Sequence, residues 1–232
     1  MATSAEATRS GTKGNREAQR ERTRASMLQA VLDIVVEDGM RAVRHRAVAE
    51  RAGVSLGSTT YHFSSIEDLI TSAFHYWREQ KMASVNKYYL EVRERLQPYK
   101  DSVVKPSLRP EMAAWIYEQS VGYVMDQLDG KRYDRIVELA FYHESLRVSS
   151  LRDLLESIRM VELEYLAAVH RIMGSEQAEE DARITLALFR QLEQSAVMAV
   201  LPGLDTSLIR RTIRRHLSLC FGVTLEPVKD GR

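Results

Sequence analysis

The sequence predicts an all-α protein in two parts, a small N-terminal helix-turn-helix domain joined to a larger C-terminal helical bundle. Three observations carry this expectation. Apolar residues recur at helical spacing along most of the chain. No segment alternates apolar and polar residues as a half-buried strand does, and no hairpin turn signal separates two such runs. The run at 43–69, VRHRAVAERAGVSLGSTTYHFSSIEDL, reads as two short helices on a tight turn with a third helix immediately behind. A chain of 232 residues has room for a small domain followed by a larger one.

Residues 1–16 are rich in Ala, Ser, Thr and Gly, with almost no apolar anchor, and are expected to form a disordered basic arm. The helix-turn-helix domain is expected at 17–80. It opens with a helix over 17–38, in which Met27, Ala30, Val31, Ile34 and Val35 make one apolar stripe and Gly39 provides the stop. The first helix of the pair spans 44–52, with Val48, Ala49 and Ala52 small enough for close packing. Gly53 turns the backbone, Val54 fills the crease and Ser55 can cap the second helix at 56–62. Ser64-x-x-Glu67 has the spacing of a capping box. It starts a long helix whose face is Ile66, Leu69, Ile70, Ala73, Phe74 and Trp77, and which runs to about residue 94. The loop at 97–110 holds three of the five prolines. Helices follow at about 110–129, 133–147, 150–173, 176–200 and 205–221, within a bundle domain assigned to 81–232.

The chemistry of the second helix in the pair points to DNA. It is short and carries Ser58, Thr59, Thr60, Tyr61 and His62, side chains suited to phosphates and base edges, in the place where such a motif offers a rod to the major groove. Leu56 can meet a thymine methyl, Gly57 lets the backbone come close, and Ser58 and Thr60 can read base edges. Arg46, Thr59, Tyr61 and His62 are assigned to phosphates, and Arg44 and His45 to either. Charge agrees modestly: residues 1–66 hold ten Arg or Lys against seven Asp or Glu, whereas the remainder holds 23 against 25. The leader's Arg20, Arg22 and Arg24 can extend along the backbone or into the minor groove.

From about residue 22 to residue 77 the chain resembles the DNA-binding domain of the TetR/AcrR family of bacterial transcriptional regulators. The matching residues are Ala30, Gly39, the run AVAERAGVS at 47–55, then Gly57, Tyr61, His62, Phe63, Ser65, Glu67 and Leu69. Two positions depart from the family: Thr60 stands in place of a usual tyrosine, and Ile66 in place of a lysine, so no phosphate contact is carried over to Ile66. The resemblance implies DNA contacts at His45, Arg46, Leu56, Gly57, Ser58, Thr60, Tyr61 and His62; Phe63 is read as a core residue. It further implies a double-stranded, pseudo-palindromic operator, a homodimer, and a small molecule whose binding releases the DNA, with repression the favoured sign.

The last two helices should lie antiparallel, with Leu188, Leu192, Ala196 and Ala199 on one stripe and Leu208, Ile209, Ile213, Leu217 and Cys220 on the other. These stripes face either the core or a twin chain. The resemblance, in which such helices dimerise, assigns Leu188, Leu192, Ala196, Ala199, Ile209, Ile213 and Leu217 to the dimer interface. Trp115, Tyr123, Phe141, His143 and Phe189 are candidates to line a cavity for an apolar or aromatic effector.

Other classes are disfavoured. The chain has no nucleophile elbow, Walker loop, dinucleotide glycine pattern or paired catalytic carboxylates, so no enzyme and no cofactor is expected. A helical adaptor would not need a polar short helix behind a basic arm. One cysteine, Cys220, excludes an intrachain disulfide, and no metal cluster is expected. No apolar run approaches the roughly 20 residues that cross a bilayer, and the N-terminus lacks a secretory stretch, so the expected location is the cytoplasm with no membrane partner.

Overall fold

The structure is a computed structural model that describes residues 3–129, 132–198 and 205–226, with side chains described for all of these except 3–14, 82–86 and 196–198. Among the described residues it is all helical: α1 (Thr3–Asp38), α2 (His45–Ala52), α3 (Leu56–His62), α4 (Ile66–Leu96), α5 (Arg109–Leu128), α6 (Arg132–Glu144), α7 (Ser149–Ile172), α8 (Ala178–Met198) and α9 (Thr206–Phe221), with short 3-10 turns at Met40–Ala42 and Gln97–Tyr99. No described helix is long and apolar enough to cross a membrane.

The chain divides into two compact units, Met1–Lys81 with Val137–Arg152, and Met82–Ile136 with Asp153–Arg232. A single cut after residue 80 therefore misses a returning segment. Val137, Phe141, Val148 and Leu151 are buried, and the Phe141 ring lies 5.2 Å from that of Phe74 in the first unit.

In the first unit the α1 stripe is wholly internal. Met27, Ala30, Val31, Ile34 and Val35 are buried, as are Leu28 and Leu32, so α1 is covered on more than one side. Each large side chain withdrawn from water contributes about 1.5–3 kcal/mol. The leader expected to be a disordered arm is instead the start of α1, which begins at Thr3. The leader lacks apolar anchors, but Ala, Glu, Gln, Arg and Lys are strong helix formers, and extending an existing helix escapes the cost of nucleation.

The entry to α4 differs by one residue from the expected capping box. The Asp68 amide donates to Ser65 Oγ at 3.0 Å, while the Asp68 carboxylate accepts from the Ser64 amide at 2.8 Å and the Ser64 hydroxyl at 2.9 Å. The pair is thus Ser65 with Asp68 rather than Ser64 with Glu67, because α4 starts at Ile66 and makes Ser65 the cap.

The second unit is built on α5, α8 and α9, with the C-terminal parts of α4 and α7. Val92, Leu96, Ile116, Tyr117, Val121, Val124, Met173, Leu192, Ile213 and Phe221 form its apolar core. The loop before α5 is tied down where the Val104 amide donates to the Ile172 carbonyl at 2.8 Å and the Val104 side chain is buried.

Candidate nucleic-acid interface

The turn between α2 and α3 is set by backbone hydrogen bonds. Gly53 closes α2 in the left-handed region at φ 67° and ψ 33°, and the Val54 amide donates to the Ala49 carbonyl at 2.9 Å. A side chain at that φ is strained, which accounts for glycine here. Ser55 then caps α3, its Oγ accepting from the Ser58 amide at 3.2 Å. Arg51 pairs with Glu37 at 2.8 Å and fastens α2 to the end of α1.

This frame leaves one side of α3 open. Leu56 is 51% exposed and Tyr61 is 68% exposed. Gly57 and Thr60 are exposed as well, and a Cβ added at Gly57 would meet only Ser55 Oγ at 3.8 Å. Ser58 and His62 are half-buried. On α2 and its cap, Arg44 and Arg46 are exposed, and His45 is half-buried with its Nδ1 covered and without a partner.

Thr59 does not join them. Its side chain is fully buried, and its hydroxyl donates to the Leu56 carbonyl at 2.8 Å, which corrects its assignment as a phosphate contact. The reason is helical phase: Thr59 lies four residues before Phe63, itself 1% exposed, so both project to the inner side.

Two leader arginines meet the aromatic residues of this region. The Arg20 guanidinium sits 5.1 Å from the Tyr61 ring centroid, and Arg24 sits 5.2 Å from that of Phe63 while donating to Ser72 Oγ at 3.2 Å. Burial first, then the charges of Arg20 and Arg24, hold the His62 imidazole below its ordinary value. His62 is therefore a neutral donor or acceptor at neutral pH, not a cation.

The candidates for effector binding separate. Phe141 is buried in the first unit against Phe74, and His143 is an exposed residue of that same unit, so neither belongs to an effector site in the second unit. The cause is the return of residues 137–152 to the first unit, which helical spacing does not disclose. Trp115 is half-buried on α5 with the Arg95 guanidinium 5.6 Å from its ring.

Tyr123 and Phe189 do come together, with ring centroids 6.0 Å apart, and Tyr88 stands edge-on to Tyr123 at 6.0 Å. Beneath them lies a buried ionic group that sequence reasoning missed. The Tyr123 hydroxyl donates to Glu193 Oε1 at 2.7 Å, and Glu193 Oε2 accepts from Arg135 at 3.0 Å and Arg190 at 3.2 Å. Arg190 also donates to both carboxylate oxygens of Glu162 at 2.9 and 3.0 Å. Glu193 is 1% exposed, and burial together with its carboxylate pushes the Tyr123 phenol well above its usual range. These residues come from four helices and share no local motif.

The stripes assigned to a dimer interface also need correction. Leu192, Ile209, Ile213 and Leu217 are buried in the second unit's own core, and Leu188 packs against it. The side chain of Ala196 and the whole of Ala199 lie outside the described residues. An amphipathic helix satisfies its own domain first, so the most regular apolar stripe is the one used internally. Among the described residues, the large apolar side chains left exposed on these helices are Ile184 on α8 and Leu208 and Leu219 on α9.

A second polar cluster, which a count of one cysteine had seemed to exclude, brings His170, Asp181 and Cys220 within 4.8 Å of one another through one ligand atom each. His216 joins it, both ring nitrogens lying 3.7 Å from Cys220 Sγ. The four-residue spacing of His216 and Cys220 is the one local signal that could have marked it.

Comparisons agree with this geometry. Residues 28–73 match the model of bacterial regulatory proteins of the tetR family. A transcriptional regulator from Rhodococcus sp. Rha1 shares the fold at a TM-score of 0.62 and 21% identity, covering 88% of this chain and 99% of its own. A transcriptional regulator from Streptomyces coelicolor A3(2) aligns with a TM-score of 0.54 and 26% identity, over 84% of this chain and 98% of its own. A third, from Saccharomonospora viridis and solved in complex with choline, gives 0.58 and 19%, over 85% and 96%. None of the curated proteins matches the chain.

Proposed function

Since this chain is a TetR-family transcriptional regulator, we propose that it binds a pseudo-palindromic operator as a homodimer through α3 and releases it when a small molecule occupies the second unit. The observation that carries the DNA part is the open side of α3, where Leu56, Gly57, Thr60 and Tyr61 are exposed on a short helix braced by α1 and α2. Ser58 and Thr60 hydrogen-bond base edges, Leu56 meets a thymine methyl, and Gly57 admits the backbone. Arg44, Arg46, Tyr61 and neutral His62 hold phosphates, with His45 reaching either.

One such helix buries too little surface for specificity. Two of them, about one helical turn or a multiple of it apart, read the two halves of the operator. Because the regular stripes are occupied internally, we place the twofold contact on the outer faces of α8 and α9, at Ile184, Leu208 and Leu219.

We place effector recognition at Tyr88, Tyr123 and Phe189 above the Glu193 carboxylate, which suits an apolar or aromatic compound with a polar end. The choline complex of the Saccharomonospora viridis regulator supports effector binding in this fold. Transmission runs along α4, a single helix of 31 residues whose first part belongs to one unit and its second part to the other. A ligand that prefers the released arrangement by about 1–3 kcal/mol suffices. Repression is the favoured sign, and the position of the operator relative to its promoter decides it.

The test is genome-wide mapping of bound DNA followed by gel retardation with the purified full chain. Specific retention of a mapped palindrome, lost in a Thr60→Ala, Tyr61→Ala double variant that still folds, is the expected result. Equal retention of mapped and unrelated DNA would reject the reading. For the effector, a Tyr123→Phe chain should respond to a mapped pathway's compounds at altered concentration while its operator affinity stays the same.

A further inference from the structure

The polar cluster on α7, α8 and α9 has the composition and geometry of a metal centre. Thr185 organises it. Its hydroxyl donates to the Asp181 carbonyl at 2.7 Å and has His170 Nε2 at 2.8 Å and His216 Nε2 at 2.6 Å. A carbonyl can only accept, so the hydroxyl proton is committed there and both imidazoles donate from Nε2 to the threonine oxygen. Each ring is left with a lone pair at Nδ1. That is how imidazole ligands of metals are commonly held, the second nitrogen fixed by an outer acceptor.

The Nδ1 lone pair of His170 is the telling feature. His170 is 1% exposed, and its Nδ1 is covered with no hydrogen-bond partner. A buried acceptor without a donor costs about 1–3 kcal/mol, so an uncompensated one calls for an occupant. The candidates to share that occupant are at hand: a ring nitrogen of His170, Cys220 Sγ and an Asp181 carboxylate oxygen, all within 4.8 Å of each other. Asp181 is steadied from outside by the Ser175 hydroxyl, which donates to Oδ2 at 2.6 Å.

We infer that His170, Asp181 and Cys220, together with His216, form a site for a borderline-soft divalent cation of the Zn2+ class. The donor set is one thiol, two imidazoles and one carboxylate, which suits tetrahedral Zn2+ and disfavours Mg2+ or Ca2+. Thiolate and carboxylate carry two negative charges and cancel those of the cation, so the partly buried centre is neutral. Ligand atoms around tetrahedral zinc lie about 3.5 Å apart, so closure asks His170, Asp181 and Cys220 to move inward by about 1 Å, and His216, already 3.7 Å from Cys220 Sγ, to turn toward them. Asp181, His216 and Cys220 are only partly buried, which leaves a path of entry. Binding replaces the Cys220 S–H bond with a sulfur–metal bond and sends that proton to solvent. The Nε2 protons stay on the imidazoles, donated to the Thr185 oxygen, and no electron is transferred.

This inference is independent of the operator reading, and its test uses no DNA. Tag-free full chain is stripped with a chelator and titrated with Co2+, then with Zn2+. The expected result is one Co2+ per chain, with a thiolate-to-cobalt charge-transfer band and the visible bands of a tetrahedral ion, all displaced by Zn2+. Cys220→Ser should abolish the charge-transfer band, and Asp181→Asn should weaken uptake at least tenfold. Both side chains are partly exposed, and circular dichroism confirms that the variants fold. Zn2+ should raise the melting temperature of the parent chain and not that of Cys220→Ser. Absence of saturable uptake, or uptake unchanged in both variants, would overturn the proposal and leave the cluster a hydrogen-bonded core.

Discussion

The open side of α3 and the buried ionic group around Glu193 use polar side chains in opposite ways. On α3 the polar groups spend their hydrogen bonds within the helix, as when the Thr60 hydroxyl donates to the Gly57 carbonyl at 3.2 Å, and the face stays in water. Around Glu193, Tyr123, Arg135 and Arg190 are brought from residues as far as 70 positions away, and the Glu193 and Arg135 side chains are buried. The first arrangement is cheap to alter in stability, and on the proposed reading its alteration is felt in DNA binding. The second is costly to alter, because Glu193 and Arg135 are buried and losing either leaves the charge of the other poorly compensated.

The sharpest way to break this contrast is Glu193→Ala. It should lower stability by about 3–5 kcal/mol, because the buried Arg135 loses its carboxylate. Urea denaturation reads this directly, and a loss under 1 kcal/mol would show that the group relaxes to water.

Next comes acidification of the metal-free chain. Burial lowers the His170 pKa to about 4, so between pH 6.5 and that value the unfolded chain binds the proton more readily. Stability conferred by the neutral ring is therefore complete above pH 6.5 and is lost as pH falls through this window. It should decline by about 2 kcal/mol from pH 7 to pH 5. Denaturation midpoints that stay level across that range would refute it.

Gly53→Ala should cost roughly 1–2 kcal/mol, since its Cβ meets nothing within 4 Å and the penalty is the left-handed backbone alone. The smallest stability change belongs to exposed Arg46→Ala, within about 0.5 kcal/mol of the parent. Its effect should appear instead in DNA titrations, as weaker binding to every sequence and a salt slope reduced by about 0.9. An unchanged slope would remove Arg46 from the interface.

The same contrast decides what could be read before the structure was known. α3 was legible to the residue, since Gly53, Ser55 and the apolar frame are neighbours in sequence and act through backbone bonds a few positions long. Thr59 was misplaced because its hydroxyl suggested contact with phosphate, although its spacing from Phe63 already put it on the inner side. The Glu193 group was invisible, because nothing local distinguishes a buried arginine or glutamate from the many that face water. The apolar stripes of α8 and α9 were legible as stripes, but periodicity tells only that a face is covered, not by which chain. The His170 cluster sits between these cases, with His216 and Cys220 on one turn and the other two ligands supplied by separate helices.

The stacking of Arg20 on Tyr61 carries a practical consequence for anyone preparing this regulator. Trimming the leader past that arginine strips the tyrosine ring of its cover and leaves the side chain free to swing. On the proposed reading of α3, a shortened version would then bind DNA with altered preference, a change that a thermal assay alone would not register.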